Sequence, residues 1–269
     1  MEHYVIIKDT TPYVAFPVLE EFNWLTHGCS TRLGGVSSGI YSTMNLGFQN
    51  GDITENVYEN YNRICAAIGV NPESIVHAKQ THKDRVRVVT TADRGKGYNL
   101  ERDYDDIDAL VTNEPDVTLT ILTADCVPVF LVDPVKRAIG LAHSGWRGTV
   151  SRIAVKTVQC MQDTYGSNPT DIVAVTGPCI CCNCYEVGDE VADTFHSEYG
   201  DEVFTRIATQ KNGKAHINLS ETIAQSLLQI GVKKVTQSGF CTACNSDLLF
   251  SHRVTQGKRG TLASFLAIK

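Results

Sequence analysis

Residues 117–165 read VTLTILTADCVPVFLVDPVKRAIGLAHSGWRGTVSRIAVKTVQCMQDTY. Three runs open this stretch, 117–122, 127–132 and 138–142, each rich in Val, Ile, Leu and Thr and bounded by turn residues, which predicts three strands. The period then changes: Val150, Ile153, Ala154, Val158 and Met161 share one face of a helix that ends near Gly166. Working outward, Val57, Tyr61, Ile64, Cys65 and Ile68 line a second helix, between Thr54 as N-cap and Gly69 at its C-terminal end. A third helix is expected from about Asp189 to Tyr199. A fourth opens at Ser220, buries Ile223, Leu227 and Ile230, and stops at Gly231. Further strand-like runs lie at 4–7, 86–89, 109–112, 172–176, 234–239 and 262–268. Several strands, a helix, many strands, a helix and then alternation predict an α+β (mixed α/β) fold, a mixed sheet with helices on its faces. No internal repeat or Pro/Ser-rich linker divides the chain, so residues 1–269 read as a single domain.

A chain of 269 residues with 42 % hydrophobic and 20 % charged residues is neither disordered nor fibrous. Its formal charge of −6 argues against a partner held by its phosphate backbone, so no nucleic acid is expected. Neither a basic start followed by an apolar run nor a stretch of about 18 apolar residues is present; the longest candidate, 117–132, is interrupted by Asp125 and several threonines. The expectation is a cytosolic protein with no membrane partner, whose ten cysteines stay reduced.

Three polar clusters sit at the ends of the expected strands: His77-Ala-Lys-Gln80-Thr-His82, Thr123-Ala-Asp125-Cys126-Val-Pro and Ala142-His143-Ser144-Gly145-Trp146-Arg147-Gly148-Thr149. The third runs from strand through a Gly turn into a helix, where N–H groups near Thr149 could hold an anion. His82, Cys126 and His143 stand far apart along the chain, at spacings that fit no compact finger. Two imidazoles and one thiolate nevertheless suit zinc, and three protein ligands leave a fourth position free for water, whose pKa zinc lowers to about 7. Two other readings stand beside this one: Cys126 as a nucleophile with His143 as its base, or Cys126 as a small buried hydrophobe beside hydrogen-bonded histidines.

These segments closely resemble the laccase-domain family, also called YfiH-like or multicopper polyphenol oxidase-like, whose signatures include Gln-x-His, Ala-Asp-Cys-x-Pro and Ala-His-x-Gly-Trp-Arg-Gly. The resemblance extends to Ser30-Thr31-Arg32-Leu-Gly34-Gly35-Val36-Ser37-Ser-Gly39 with Asn45-Leu46-Gly47, to Thr176-Gly177-Pro178-Cys179-Ile180 with Tyr185-Glu186-Val187, and to Cys241-Thr242 with Phe250-Ser251-His252-Arg253. It covers nearly the whole chain. It implies a single α/β domain with mixed β-sheets flanked by helices, related to the cytotoxic necrotizing factor catalytic domain, with a metal, typically zinc, on His82, Cys126 and His143. It also implies phosphorolysis of adenosine, inosine and methylthioadenosine, deamination of adenosine, and hence purine nucleosides and phosphate as small-molecule partners. An older assignment, copper-dependent oxidation of phenols, gives the family its laccase name.

The residues favour the first activity. A trinuclear copper cluster needs many His-x-His pairs, whereas the eight histidines (His3, His27, His77, His82, His143, His196, His216 and His252) form none. Copper could still load the His/Cys site, because it outcompetes zinc at most nitrogen and sulfur ligands. Arg32 in its Gly/Ser-rich loop, with Ser37, is a candidate phosphate cradle, and Arg147 is the other phosphate candidate. Asp125 is the candidate proton carrier for deamination, or else a hydrogen-bonding support for a ligand. Gln80 could bind purine or support its loop. A binding protein that senses nucleoside or metal is the reading outside enzymes.

The other thiols divide. Cys179-Ile-Cys181-Cys182-Asn-Cys184 contains two overlapping C-x-x-C pairs and Cys241-Thr-Ala-Cys244 a third, which leaves a second metal site or disulfides open, although the stretch between Cys184 and Cys241 is far longer than in any usual ribbon. Cys29, Cys65 and Cys160 read as packing residues. The acidic run 103–108 lacks the Gly and terminal Glu of a calcium loop and is expected to be a solvated loop leading into a strand, whereas Asp108 belongs to the family pattern as a structural residue or one near the site.

Overall fold

A computed structural model describes residues 4–8 and 11–269; His3 of the histidine census and the first residues of the leader reading lie outside the described residues. Two six-stranded sheets stack face to face. The first contains Tyr4–Lys8 (β1), Thr11–Ala15 (β2), Leu25–Ser30 (β3), Ile75–His77 (β4), Thr118–Thr123 (β7) and Leu262–Ile268 (β15), in the spatial order β1-β2-β3-β15-β7-β4. The second contains Val86–Val88 (β5), Ala109–Thr112 (β6), Val127–Asp133 (β8), Ala138–Ser144 (β9), Val173–Thr176 (β10) and Lys234–Gln237 (β14), in the order β14-β10-β8-β9-β6-β5. A small antiparallel sheet joins Glu186–Val187 (β11), Lys214–Ile217 (β13) and Ala208–Lys211 (β12).

Alternation along β8 shows why the opening stretch reads as nearly unbroken hydrophobic sequence. Phe130 and Val132 face the first sheet, meeting a layer that includes Leu119, Ile121 and Leu266. Val129 and Leu131 face the other way, toward the helices Ile153–Tyr165 (α4), Asp189–Ile207 (α5) and Leu219–Gln229 (α6). On the far side of the first sheet, Thr54–Ile68 (α2) sets Val57, Tyr61 and Ile64 against Ile75 and Phe265. The result is four layers: helix, sheet, sheet, helices. A strand buried on both faces carries no polar alternation.

Four differences from the sequence expectations have physical causes. Mixed sheets flanked by helices are as expected, but β2, β3 and β4 have no counterpart among the expected strand runs: β3 (LTHGCS) mixes polar residues and Gly into a fully buried strand, and β4 is three residues long. The helix expected over 150–166 is two, Trp146–Val150 (α3) and α4, broken at Arg152 (φ 59°), whose guanidinium lies over Tyr199 and bonds Glu198. α5 continues past Tyr199 to Ile207 through a break at Gly200 (φ 72°). Ile53, not Thr54, is the N-cap of α2, and α6 opens at Leu219, one residue before Ser220, with Asn218 capping it by accepting from Glu221 N. Short helices at Pro17–Glu20 (α1) and His252–Thr255 (α7) complete the structure. No helix among the described residues is long and apolar enough to cross a membrane.

Candidate active site

Strand directions in the second sheet gather residues that are far apart in sequence. β8 and β6 both run antiparallel to β9, and β5 runs parallel to β6. The starts of β5, β6 and β8 therefore lie at the same edge as the end of β9. Cys126 precedes β8, Asp108 precedes β6, His143 ends β9, and His82 lies just upstream of β5. The long separations along the chain thus collapse into one cluster, in which ligand atoms of His82, Cys126 and His143 lie within 4.8 Å of one another.

Asp108 holds the cluster together. It is fully buried, and one carboxylate oxygen accepts from His143 Nδ1 (2.8 Å) and the His82 backbone N–H (3.0 Å). The other oxygen accepts from the Thr81 and Lys83 N–H groups, both at 3.0 Å. Its backbone carbonyl accepts from His143 N at 2.8 Å. Three successive N–H groups aimed at one carboxylate curl the loop so that His82 takes φ 60°. Asp108, expected to be structural or near the site, is both. Its acidic neighbours behave as expected, with Lys96 on Asp103 and Lys83 on Asp106 at the surface, so a buried member of the same run left no compositional trace.

The electrostatics follow. Burial alone would raise the Cys126 thiol, but the charge of His143 and hydrogen bonds from His143 and His82 outweigh it and bring the pKa to about 6. Burial would lower His143, yet the Cys126 thiolate and the Asp108 carboxylate raise it to about 9. The Asp108 carboxyl, pushed up by burial, is held below the ordinary range by His143 and the loop N–H groups. A thiolate and two imidazoles, one oriented by a buried carboxylate through Nδ1, make a donor set that fits a borderline divalent ion. A methyl group at Gly145 would come within 3.1 Å of Cys126 Sγ and His82 Cδ2, so the turn leaves the ligands only the room they occupy.

The cluster opens on a cavity of about 790 Å³ lined by residues including Gln80, Asp125, Trp146, Arg147, Tyr185 and Arg253. This is the size range of small-molecule sites. Gln80 sits at the wall with its amide committed: Nε2 donates to Leu122 O and Oε1 accepts from Leu122 N, each at 2.7 Å, extending the edge of β7. Asp125 (φ 88°) is also engaged, accepting from Thr242 Oγ1 (2.6 Å) and from Arg253 N (2.7 Å), while its carbonyl accepts from Ile180 N. Arg147 lies over Trp146 at 4.2 Å and is in no ion pair among the described residues. Tyr185 and Arg253, stacked at 5.3 Å, were not singled out as lining residues by sequence reasoning, because Tyr185 enters from a segment well beyond the last of the ligands in sequence.

The expected phosphate cradle is not beside this cluster. Arg32 gives Nε and Nη2 to Ser42 O and Nη1 to Ser246 O, with its guanidinium 4.8 Å over Phe250. Ser37 is buried and donates to Asp52 Oδ2 at 2.6 Å. Neither lines the cavity; both tie loops together. Thr149 N itself is committed, donating to Gly145 O inside the short helix α3.

Fold and site together define a double-sheet α/β scaffold carrying a His/Cys group that could hold a metal. Residues 26–269 match the family described as multi-copper polyphenol oxidoreductase laccase, and the chain belongs to that family. It is 38 % identical over 250 residues to the purine nucleoside phosphorylase YlmD of Bacillus subtilis, covering 90 % of this chain and 88 % of that protein. It is 36 % identical over 233 residues to the adenosine deaminase RL5 of an unknown prokaryotic organism, covering 83 % and 87 %. The crystal structure of the hypothetical protein YfiH of Bacillus licheniformis superposes with a TM-score of 0.89 at 34 % identity, covering 97 % of both chains.

Proposed function

We propose that this chain is a metal-dependent purine nucleoside enzyme that cleaves adenosine, inosine and methylthioadenosine with phosphate and also deaminates adenosine. The observation that carries the reading is the His82–Cys126–His143 cluster, braced by Asp108, on the floor of a cavity whose wall holds Arg147. Relatives named for both activities support it. His82, Cys126 and His143 would hold zinc, which supplies Lewis acidity and lowers the pKa of water, and copper would also load there.

In phosphorolysis a phosphate oxygen bonds to the anomeric carbon while the bond from that carbon to the purine nitrogen breaks. The electron pair leaves with the base, which takes up a proton. In deamination water adds at the carbon bearing the amino group and ammonia departs. Phosphate needs a cation in reach, and Arg147, held flat by Trp146, is this chain's candidate in place of Arg32. Asp125, with both carboxylate oxygens already accepting, acts by fixing the segment that carries Cys126 and the wall that carries Arg253.

The test incubates pure protein with adenosine, with and without phosphate, and measures adenine, ribose-1-phosphate and inosine; a parallel arm supplies a phenol, oxygen and copper. Base release that depends on phosphate is expected. Phenol turnover with no purine product would overturn the proposal in favour of a polyphenol oxidase, and silence in both arms would favour a binding protein. Cys126→Ala is expected to lose both metal and activity, whereas a dead variant that keeps its metal would mark Cys126 as a nucleophile.

A further inference from the structure

We propose that Cys181, Cys184, Cys241 and Cys244 form a second, structural zinc site, separate from the cavity cluster. Their four Sγ atoms lie within 4.8 Å of one another, with Cys184 and Cys244 at 3.5 Å. Zinc–sulfur bonds of about 2.3 Å place the corners of a tetrahedron about 3.8 Å apart, so the group needs little movement to close on an ion. Each pair has C-x-x-C spacing, the usual form of a zinc knuckle.

β10 and β14 are hydrogen-bonded parallel neighbours, with Thr176 opposite Gln237, so the loops leaving their C-terminal ends start side by side. A bridge between Cys179 and Cys241 continues that pairing, and Thr242 N donates to Cys179 O. The long gap in sequence between the two knuckles is thereby closed by the sheet. The structure also chooses between the overlapping pairs: Cys179 is buried in the helix-facing core, and Cys182 Sγ turns to Thr209 and His216 O, away from the four. N–H groups of Cys181 (3.2 Å) and Cys244 (3.4 Å) both donate to Cys241 Sγ, which stabilises that sulfur as a thiolate. Two disulfides would satisfy the thiols in pairs, but they require neither the convergence of all four nor donors aimed at one sulfur.

The site would pin the back of the cavity wall. Tyr185 follows Cys184 directly, and Arg253 Nη1 reaches Cys184 O at 3.5 Å. Thr242, between Cys241 and Cys244, bonds Asp125 beside Cys126.

The experiment measures zinc per chain in protein purified without chelator, together with its cobalt-exchanged absorption. Wild type is expected to carry two equivalents, matching the two donor groups, and Cys181→Ser with Cys184→Ser one. If that variant does not fold, His82→Ala with His143→Ala keeps the test alive. It should retain one equivalent, show the intense thiolate-to-cobalt charge transfer of a four-sulfur site, and melt at a lower temperature after chelation. Denatured with chelator and no reductant, the chain should titrate all ten thiols. Fewer than ten free thiols, or a His82→Ala with His143→Ala variant that carries no metal, would overturn the proposal. Because this readout is metal content, it fails independently of the nucleoside reading.

Discussion

Asp108→Asn perturbs the metal centre without touching a ligand. The wild-type carboxylate accepts from His143 Nδ1 and His82 N on one oxygen and from Thr81 N and Lys83 N on the other. Asparagine keeps one acceptor oxygen and puts an amide NH2 where the second stood, so whichever way it turns, two donors face a donor. Of the four, only His143 Nδ1 is in a fully buried bond, and the three loop N–H groups are part-buried. At about 1–3 kcal/mol for the unpaired groups together, discounted for the loop's access to water, the loss of stability is modest. For a chain of this size, that lowers the melting temperature by roughly 2–6 °C, at about 2 °C per kcal/mol. Loss of the anion behind His143 also removes what orients the ring, and metal affinity is expected to fall about 10–100-fold. Competition titration against a chromophoric zinc chelator reads the second effect and calorimetry the first. As a positioning residue, Asp108 should also shift the pH at which metal is released, since His143 loses one of the two anions that raise its pKa. A variant that binds zinc within about twofold of wild type and melts within about 1 °C of it would refute the bracing role.

Gly145→Ala is sterically aimed at the ligands: the backbone angles (φ −77°, ψ −179°) suit alanine, but its methyl would lie 3.1 Å from Cys126 Sγ and His82 Cδ2. Zinc affinity should drop about tenfold or more while the melting temperature changes little, and the reverse pattern would contradict the crowding. Arg32→Gln should cost about 2–4 kcal/mol of stability, read by denaturant unfolding, and leave KM for phosphate unchanged, because the guanidinium serves Ser42 and Ser246 carbonyls; a raised KM at unchanged stability would restore it as an anion cradle. Acid should destabilise the fold through His27 and His77, whose pKa values burial lowers to about 4 and about 3. The neutral form of His27 is wired in, because its Nε2 accepts from Phe16 N, whereas His77, whose Nε2 donates to Tyr61 Oη, is held neutral by burial and by the nearby Arg102 charge. Because the unfolded chain binds these protons first, the stabilisation is complete above pH 6.5 and is lost as pH falls toward 4 and then 3, by about 3 kcal/mol or more for His27 alone. His27→Gln should flatten that slope in urea titrations between about pH 6 and pH 4, and an unchanged slope would count against the assignment.

Legibility tracked how local each determinant is. α2 and α6 were readable because their apolar faces repeat within the helix, and β8 because both of its faces are buried. β3 and β4 were not, since what makes LTHGCS a strand is its partners β15 and β2, the first of them at the far end of the chain. At the site, residue type and the family resemblance singled out His82, Cys126 and His143, while their spacing carried no information until the strand directions were known. Arg32 and Ser37 show the opposite case. A Gly/Ser-rich loop with an arginine looks like an anion cradle, yet which carbonyls turn inward to occupy the guanidinium depends on tertiary folding. For Asp108 the family pattern marked the residue but not its bracing role, because a buried carboxylate and a solvated one are the same letter.

The place of β15 has a consequence for the order in which the molecule can be made. Ser264 pairs with Cys29 on one side and Ile121 on the other, so β15 alone joins β3 to β7 across the middle of the first sheet. Until residues 262–268 leave the ribosome, β3 and β7 each present an open edge, and α2 lacks Phe265 beneath it. A chain made only as far as residue 261 is thus two unfinished half-sheets exposed to edge-to-edge pairing. Truncation just before residue 262 should yield aggregates instead of a merely weakened fold.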